Sequence, residues 1–208
     1  MKVSREQVAA NRQRILEAAG LLFKERGFAA VTVAEVMQAA GLTHGGFYGY
    51  FGSKDELAAA ALAEALTRTA ARPLSDLATY IEGYLSRSHR ENRARGCPTA
   101  ALAAETIRET DGIRAKMTAG VRQQIERLSP LAPGRTPAQK RQAAIGSWAA
   151  MVGAMILARA SSDPALSAEV LEETRAWLSA RAEARRQGNS RSRLKAIPRD
   201  LLPRHRPR

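Results

Sequence analysis

GLTHGGFYGYFGSK, residues 41–54, decides how the rest of the chain is read. Glycine stands at positions 41, 45, 46, 49 and 52, interleaved with Phe47, Tyr48, Tyr50 and Phe51. Each interior glycine weakens a helix by about 0.8–1 kcal/mol relative to alanine, so an isolated peptide of this composition would not be helical. Packing against the rest of the protein has to impose any helix here. Leu42 and Phe47 supply the means, since they flank Thr43, a candidate N-cap, in the relation of a hydrophobic staple. Gly45 and Gly46, at the start of such a helix, let the backbone come close to a phosphate.

The flanking segments give this stretch its place. Ile15, Leu16, Ala19, Leu22 and Phe23 recur at helical spacing up to Gly27, which predicts a helix over residues 7–26. Thr32 and Glu35 form a capping-box pair, Val31 can staple onto Val36, and a short helix over 33–40 ends at Gly41. Ser53 and Glu56 make a second capping box, which opens a long helix over 54–71. Helix, turn beginning with glycine, then short second helix is the helix-turn-helix pattern, whose second helix enters the DNA major groove. Beyond Pro73 the pattern predicts a helix over 74–89, a basic break RSHRENRARG (87–96), and a helix after Cys97-Pro98. A loop, SPLAPGRTP (129–137), then precedes two long helices over 137–160 and 164–184. After Gly188 the dense arginines and three prolines read as disorder.

The totals agree with an all-α chain. Of 208 residues, 45% are hydrophobic and 25% charged, enough apolar content for a real core, and alanine is plentiful while β-branched runs are scarce. The polar start MKVSREQVAANRQR shows no signal peptide. The apolar run from Ala143 to Ala158 is shorter than a bilayer span and lies between Arg141 and Arg159. A single cysteine excludes an internal disulfide. These features favour a cytoplasmic protein with no membrane partner.

The net charge of +13 invites a nucleic-acid reading, but its distribution matters more than its size. Residues 1–66 carry seven bases against seven acids, whereas from Arg181 onward ten bases face two acids. Any case for DNA binding in the first third therefore rests on geometry. Enzymatic signals are missing: there is no Walker loop or cysteine pair, and His44, His89 and His205 are scattered. Glu172 and Glu173 suit a solvated helix face. No cofactor or metal is expected.

The run ILEAAGLLFKERGFAAVTVAEVMQAAGLTHGGFYGYFGSKDELAAAAL, residues 15–62, resembles the DNA-binding domain of TetR-family transcriptional regulators, down to the aromatic FYGYF and the SKDEL helix start. GCPTAALAAE (96–105) and GSWAAMVGAMILARA (146–160) resemble one branch of that family, so the likeness extends to about residue 184. It implies a homodimeric, all-helical repressor that binds double-stranded DNA at a palindromic operator, sits on the nucleoid when bound, and is released by a small-molecule effector. By resemblance, Thr32, Thr43, Tyr48 and Lys54 lie at phosphates, with His44, Gly46 and Tyr50 facing the groove. The chemistry agrees, because Lys54 adds charge at a helix start and the threonines can both cap and donate. Gly49 departs from the pattern and offers nothing to a base edge. Thr43, His44, Tyr50 and Gln38 are then the few readers, and some reliance on DNA shape is expected. The plainer readings are a core role for Tyr48 and Tyr50 and a solvated surface histidine at 44.

Cys97 precedes Pro98 at a helix start, with Arg93 and Arg95 upstream, surroundings that raise a thiol's thiolate fraction. Relatives with a GC at this place suggest an electrophile sensor; the competing reading is a small buried residue packing a helix junction. Tyr80, Tyr84, Met117, Trp148, Met151 and Met155 are candidate pocket residues because sensor pockets have adaptable Met and aromatic walls. Gly146, Ala150, Gly153 and Ala154 permit close helix packing, and the resemblance puts dimerisation on the last two helices as a four-helix bundle. The expected organisation is a DNA-binding domain over 1–52 and a ligand-binding and dimerisation domain over 53–186, with helix 53–71 joining them, then a basic disordered tail over 187–208. An alternative makes that tail the agent of nonspecific nucleic-acid binding.

Overall fold

The computed structural model describes residues 4–195, with side chains through residue 181. Among them there are helices and no strands, as the composition predicts. Helix α1 (Arg5–Arg26) starts at Ser4, whose hydroxyl accepts from the Gln7 amide. It stops at Gly27, where a φ of 86° lets the Gly27 amide turn back onto the Phe23 carbonyl. Helix α2 (Val33–Ala39) carries the complete capping box. The Thr32 hydroxyl accepts from the Glu35 amide, and the Glu35 carboxylate accepts from the Thr32 amide at 2.8 Å. Those bonds, with Arg26, hold the Glu35 carboxyl down at about 2, so the cap is intact at any pH above the acid range.

Gly41 ends α2 with a φ of 67°, and the Arg14 guanidinium packs where a Cβ would stand. Residues His44–Gly49 then form a 3-10 helix rather than a turn of α-helix. Thr43 precedes it in extended conformation without capping by its side chain. The tighter winding fits a segment with too few side chains to pack a full α-turn. Helix α3 (Lys54–Ala70) follows the Ser53 cap. The expected second box is half made, since the Glu56 carboxylate takes the Gly52 amide instead of that of Ser53.

The helix predicted over 74–89 is two helices, α4 (Leu77–Tyr84) and α5 (Arg87–Glu91). Asp76 caps the first and Ser86 interrupts by capping the second. Helix α6 (Pro98–Thr106) has Cys97 at its N-cap position and proline in its first turn. The long helices are α7 (Asp111–Leu128), α8 (Pro137–Ala160) and α9 (Pro164–Lys195). Helix α9 runs past the boundary expected near 186 and on to Lys195, so the first part of the segment expected to be disordered is helical. Residues 196–208 of that segment lie outside the described residues.

Two cores hold this arrangement. One gathers Ile15, Phe23, Val36, Phe47, Phe51 and Leu62 with Leu102 of α6 and with Ile113 and Met117 of α7. The other joins Ile81, Leu128, Trp148, Met151, Met155 and Leu171 across α4, α7, α8 and α9. Helix α7 serves both. Its Gly120 lies so close to Leu66 that an added Cβ would come within 2.6 Å of the leucine methyls, which explains the tight α3–α7 crossing. Among the described residues, α8 alone has the length and composition of a membrane span. Its apolar side chains have two places to go here. Trp148, Met151 and Met155 are buried in the second core, while Ile145, Ile156 and Leu157 remain outside.

Candidate functional site

The first candidate surface is built by α2, the Gly41 turn and the 3-10 helix. Phe47 anchors it: its ring is 1% exposed, meets Tyr48 edge-on at 5.2 Å and stacks near Phe51 at 6.0 Å. Tyr48, the next residue, is 74% exposed, and Gln38, Thr43 and His44 are exposed beside it. Gly45 and Gly49 have negative φ, and a Cβ on either would meet nothing within 4 Å. Nothing among the described residues requires glycine at these positions, so the bare backbone is a feature of the outer surface. Gly46 is half-buried, over the Thr43 side chain and the end of Met37.

The other predicted contact residues fall differently. Thr32 is exposed at the α2 start while serving as its cap. Lys54 sits at the α3 start and reaches back to the Ala29 carbonyl at 3.4 Å. Tyr50 is turned toward α1, where its hydroxyl accepts from Asn11 at 3.0 Å, so it braces the 3-10 helix as well as edging the surface. Arg14 was not singled out from sequence, yet it lies against Gly41 at the turn. Its partner is 27 positions away in the chain, and no local pattern announces such a contact.

The second candidate is a cavity of about 530 Å³ between α3, α4, α5 and α7. Tyr80, Tyr84 and Cys97 line it, as anticipated. The other candidates do not: Met117 belongs to the first core, and Trp148, Met151 and Met155 are buried in the second. Apolar character alone could not separate wall from core. Tyr80 and Tyr84 tilt against each other at 5.8 Å, and the Tyr80 hydroxyl accepts from Gln124 at 2.9 Å. The Tyr84 hydroxyl is buried without a hydrogen-bond partner of normal geometry and faces the Cys97 thiol, and burial pushes its pKa up. His89 closes one side. Its Nε2 accepts from the Cys97 amide at 2.9 Å, so its Nδ1 carries the proton toward the Tyr84 carbonyl at 2.6 Å. Burial lowers the His89 pKa, which keeps the ring neutral in this role. Cys97 is 8% exposed. Arg95, noted from sequence only as a neighbour of Cys97, also lines the cavity, as do Arg72 and Arg127, which no sequence pattern singles out.

The two sites are joined. The Lys24 ammonium reaches the Gly96 carbonyl at 3.5 Å, and Glu25 takes the Ala94 amide at 3.0 Å and Arg93 at 3.2 Å. Glu105 of α6 takes the Phe28 amide at 2.8 Å and fills the space over Gly27. The loop leading into Cys97 and the last turn of α6 are thus fastened to the end of α1, the helix on which the 3-10 helix is braced.

Comparison with known proteins matches residues 15–61 to the model of bacterial regulatory proteins of the tetR family. An uncharacterized HTH-type transcriptional regulator of Mycobacterium tuberculosis is 30% identical over 166 residues, spanning 73% of this chain and 86% of that protein. The HTH-type transcriptional repressor KstR2 of the same species is 41% identical over 51 residues, 24% of this chain and 26% of that protein. Among solved structures, a TetR transcriptional regulator from Chloroflexus aurantiacus is similar with a TM-score of 0.68 at 25% identity, covering 84% of this chain and 95% of that one.

Proposed function

Because this chain belongs to the TetR family of DNA-binding transcriptional regulators, we propose that it is a homodimeric repressor that binds a palindromic operator and leaves it when a small molecule occupies the Tyr80–Tyr84 cavity. One observation carries the DNA half of this reading. The 3-10 helix is pinned from inside by Phe47, and its outer side presents Tyr48, His44 and bare backbone at Gly45 and Gly49. Such a surface suits a duplex, whose backbone must come close enough to meet amides and short hydroxyls. In this reading Thr32, Thr43, Tyr48 and Lys54 contact phosphates. His44, Gly45, Gly46 and Gln38 meet the groove, while Tyr50 divides its role with the α1 brace. With so few base readers, the operator is recognised in part through its shape. The repressor sense is drawn from the name of the similar KstR2.

The dimer reading rests on the outer faces of α8 and α9. Ile145, Ile156 and Leu157 on α8 and Leu166 and Trp177 on α9 are exposed, with Gly146 open to close approach between them. Two copies joined there would place two reading elements on one face of the duplex, about 34–36 Å apart. The ties from the Ala94–Cys97 loop and Glu105 to the end of α1 give cavity occupancy a route to the reading surface. Cys97 faces the same cavity, so an electrophilic effector would meet its thiol there.

The test is selection of bound duplexes from a random pool at near-physiological salt. An enriched inverted repeat is expected; enrichment of nothing would return the case to salt-driven binding by the basic tail. On the selected duplex, Lys54→Ala is expected to weaken binding across sequences. It should also reduce the slope of log affinity against log salt by about 1 for each half-site. An unchanged slope would remove Lys54 from the phosphate contacts.

A further inference from the structure

We propose that the cavity accepts an organic anion, its charged head among Arg72, Arg95 and Arg127 and its aromatic or aliphatic body against Tyr80 and Tyr84. This rests on reading the cavity as the effector site. The argument begins with uncompensated charge. Arg127 is half-buried, and among the described residues its side-chain bonds go to neutral oxygens, the Thr69 and Arg72 carbonyls and the Gln124 amide. Arg72 and Arg95 line the same wall and, among the described residues, form no ion pair. Among the described residues the one acid on the wall is Asp76, whose carboxylate caps α4 and whose single charge leaves the three guanidinium groups in excess. It accepts from the Thr79 amide and hydroxyl at 2.9 Å each and from Ser75 at 3.1 Å.

Lys24 stands just behind this wall. Burial first, and then the charge of Arg72, lower its pKa to about 8. A cationic effector would meet three guanidinium groups. A neutral one would leave Arg127 with neutral acceptors alone. A carboxylate, sulfonate or phosphate head satisfies the fork geometry of the arginines and supplies the missing counter-charge. The tyrosine pair and Leu74 give the body an apolar surface, and the volume suits a metabolite-sized molecule.

The experiment compares two fluorescent probes that share one ring system, 8-anilinonaphthalene-1-sulfonate and its neutral parent N-phenyl-1-naphthylamine, titrated into the full chain at fixed ionic strength. The sulfonate is expected to bind at least about tenfold more tightly. Arg72→Gln with Arg95→Gln should remove most of that preference while leaving the neutral probe's affinity unchanged. Both arginines are exposed and their structural bonds among the described residues are made by backbone atoms, which the substitutions keep, so the double variant is expected to fold. Equal affinities, or a preference the double variant leaves intact, would overturn the anion assignment. Gly83→Phe separates that result from failure of the cavity reading. Gly83 lines the cavity with open space above it, and a ring there should expel both probes. Probes that bind Gly83→Phe as well as the parent would show that the cavity is not the site, and both readings would fall together.

Discussion

Phe47→Ala is expected to lower the unfolding free energy by about 3–5 kcal/mol and to abolish operator binding. The ring is almost completely buried among Phe51, Tyr48 and the first core, so truncation leaves a cavity beneath the 3-10 helix. The local consequence exceeds the packing loss. The Phe47 carbonyl accepts from the Tyr50 amide at 2.9 Å and from the Phe51 amide at 3.1 Å, and Gly46 bonds back to Thr43 at 3.1 Å. These bonds hold a segment in which Gly45, Gly46 and Gly49 favour the unfolded chain. Without the anchor the single Tyr50–Asn11 bond is left to oppose that preference. Urea unfolding would measure the change, with Tyr48→Ala as the companion variant. Tyr48 is exposed, so its loss should move stability by no more than about 0.5 kcal/mol while weakening DNA binding. Equal stability of Phe47→Ala and the parent would mean that the 3-10 helix is held by something other than its buried ring.

The same residues show how far the sequence could be read. Local signals carried the first third: the Thr32–Glu35 box, the Ser53 cap and the glycines at 27 and 41 each fix a boundary through bonds within four residues. The nature of the reading helix was less legible. Hydrophobic spacing placed Phe47 inside, but the choice between α and 3-10 winding depends on how much side chain remains to pack, and that is settled by tertiary contacts. Tyr50 shows the limit plainly, since its bond to Asn11 joins positions 39 apart. Beyond α3, methionine and tryptophan look alike whether they line a cavity or fill a core: of the pocket residues expected from sequence, Tyr80, Tyr84 and Cys97 line the cavity, while Met117, Trp148, Met151 and Met155 pack in the two cores. Arg72 and Arg127 of the cavity wall carry no local sequence signal, because the excess of guanidinium groups over the Asp76 carboxylate is assembled only by folding. The break between α4 and α5 was equally hidden, because Ser86 caps a helix too short to show a period.

Leu157→Asp is expected to separate the protein into folded monomers whose operator affinity falls by more than about 100-fold. Leu157 is 62% exposed, so the substitution touches no core and the helical signal should not change. In the proposed dimer, however, it would set a carboxylate among the exposed apolar side chains of α8 and α9, and burying that charge unpaired opposes association strongly. A monomer meets one half-site at a time. Loss of the partner removes the second contact, which is otherwise made at high effective concentration. Sedimentation at the concentration of the binding assay would report the first effect, and titration of the selected duplex the second. A variant that stays dimeric would move the interface away from α8 and α9. A monomer that binds as tightly as the parent would instead show that one reading element suffices, and symmetry would no longer explain how so sparse a recognition helix finds its site.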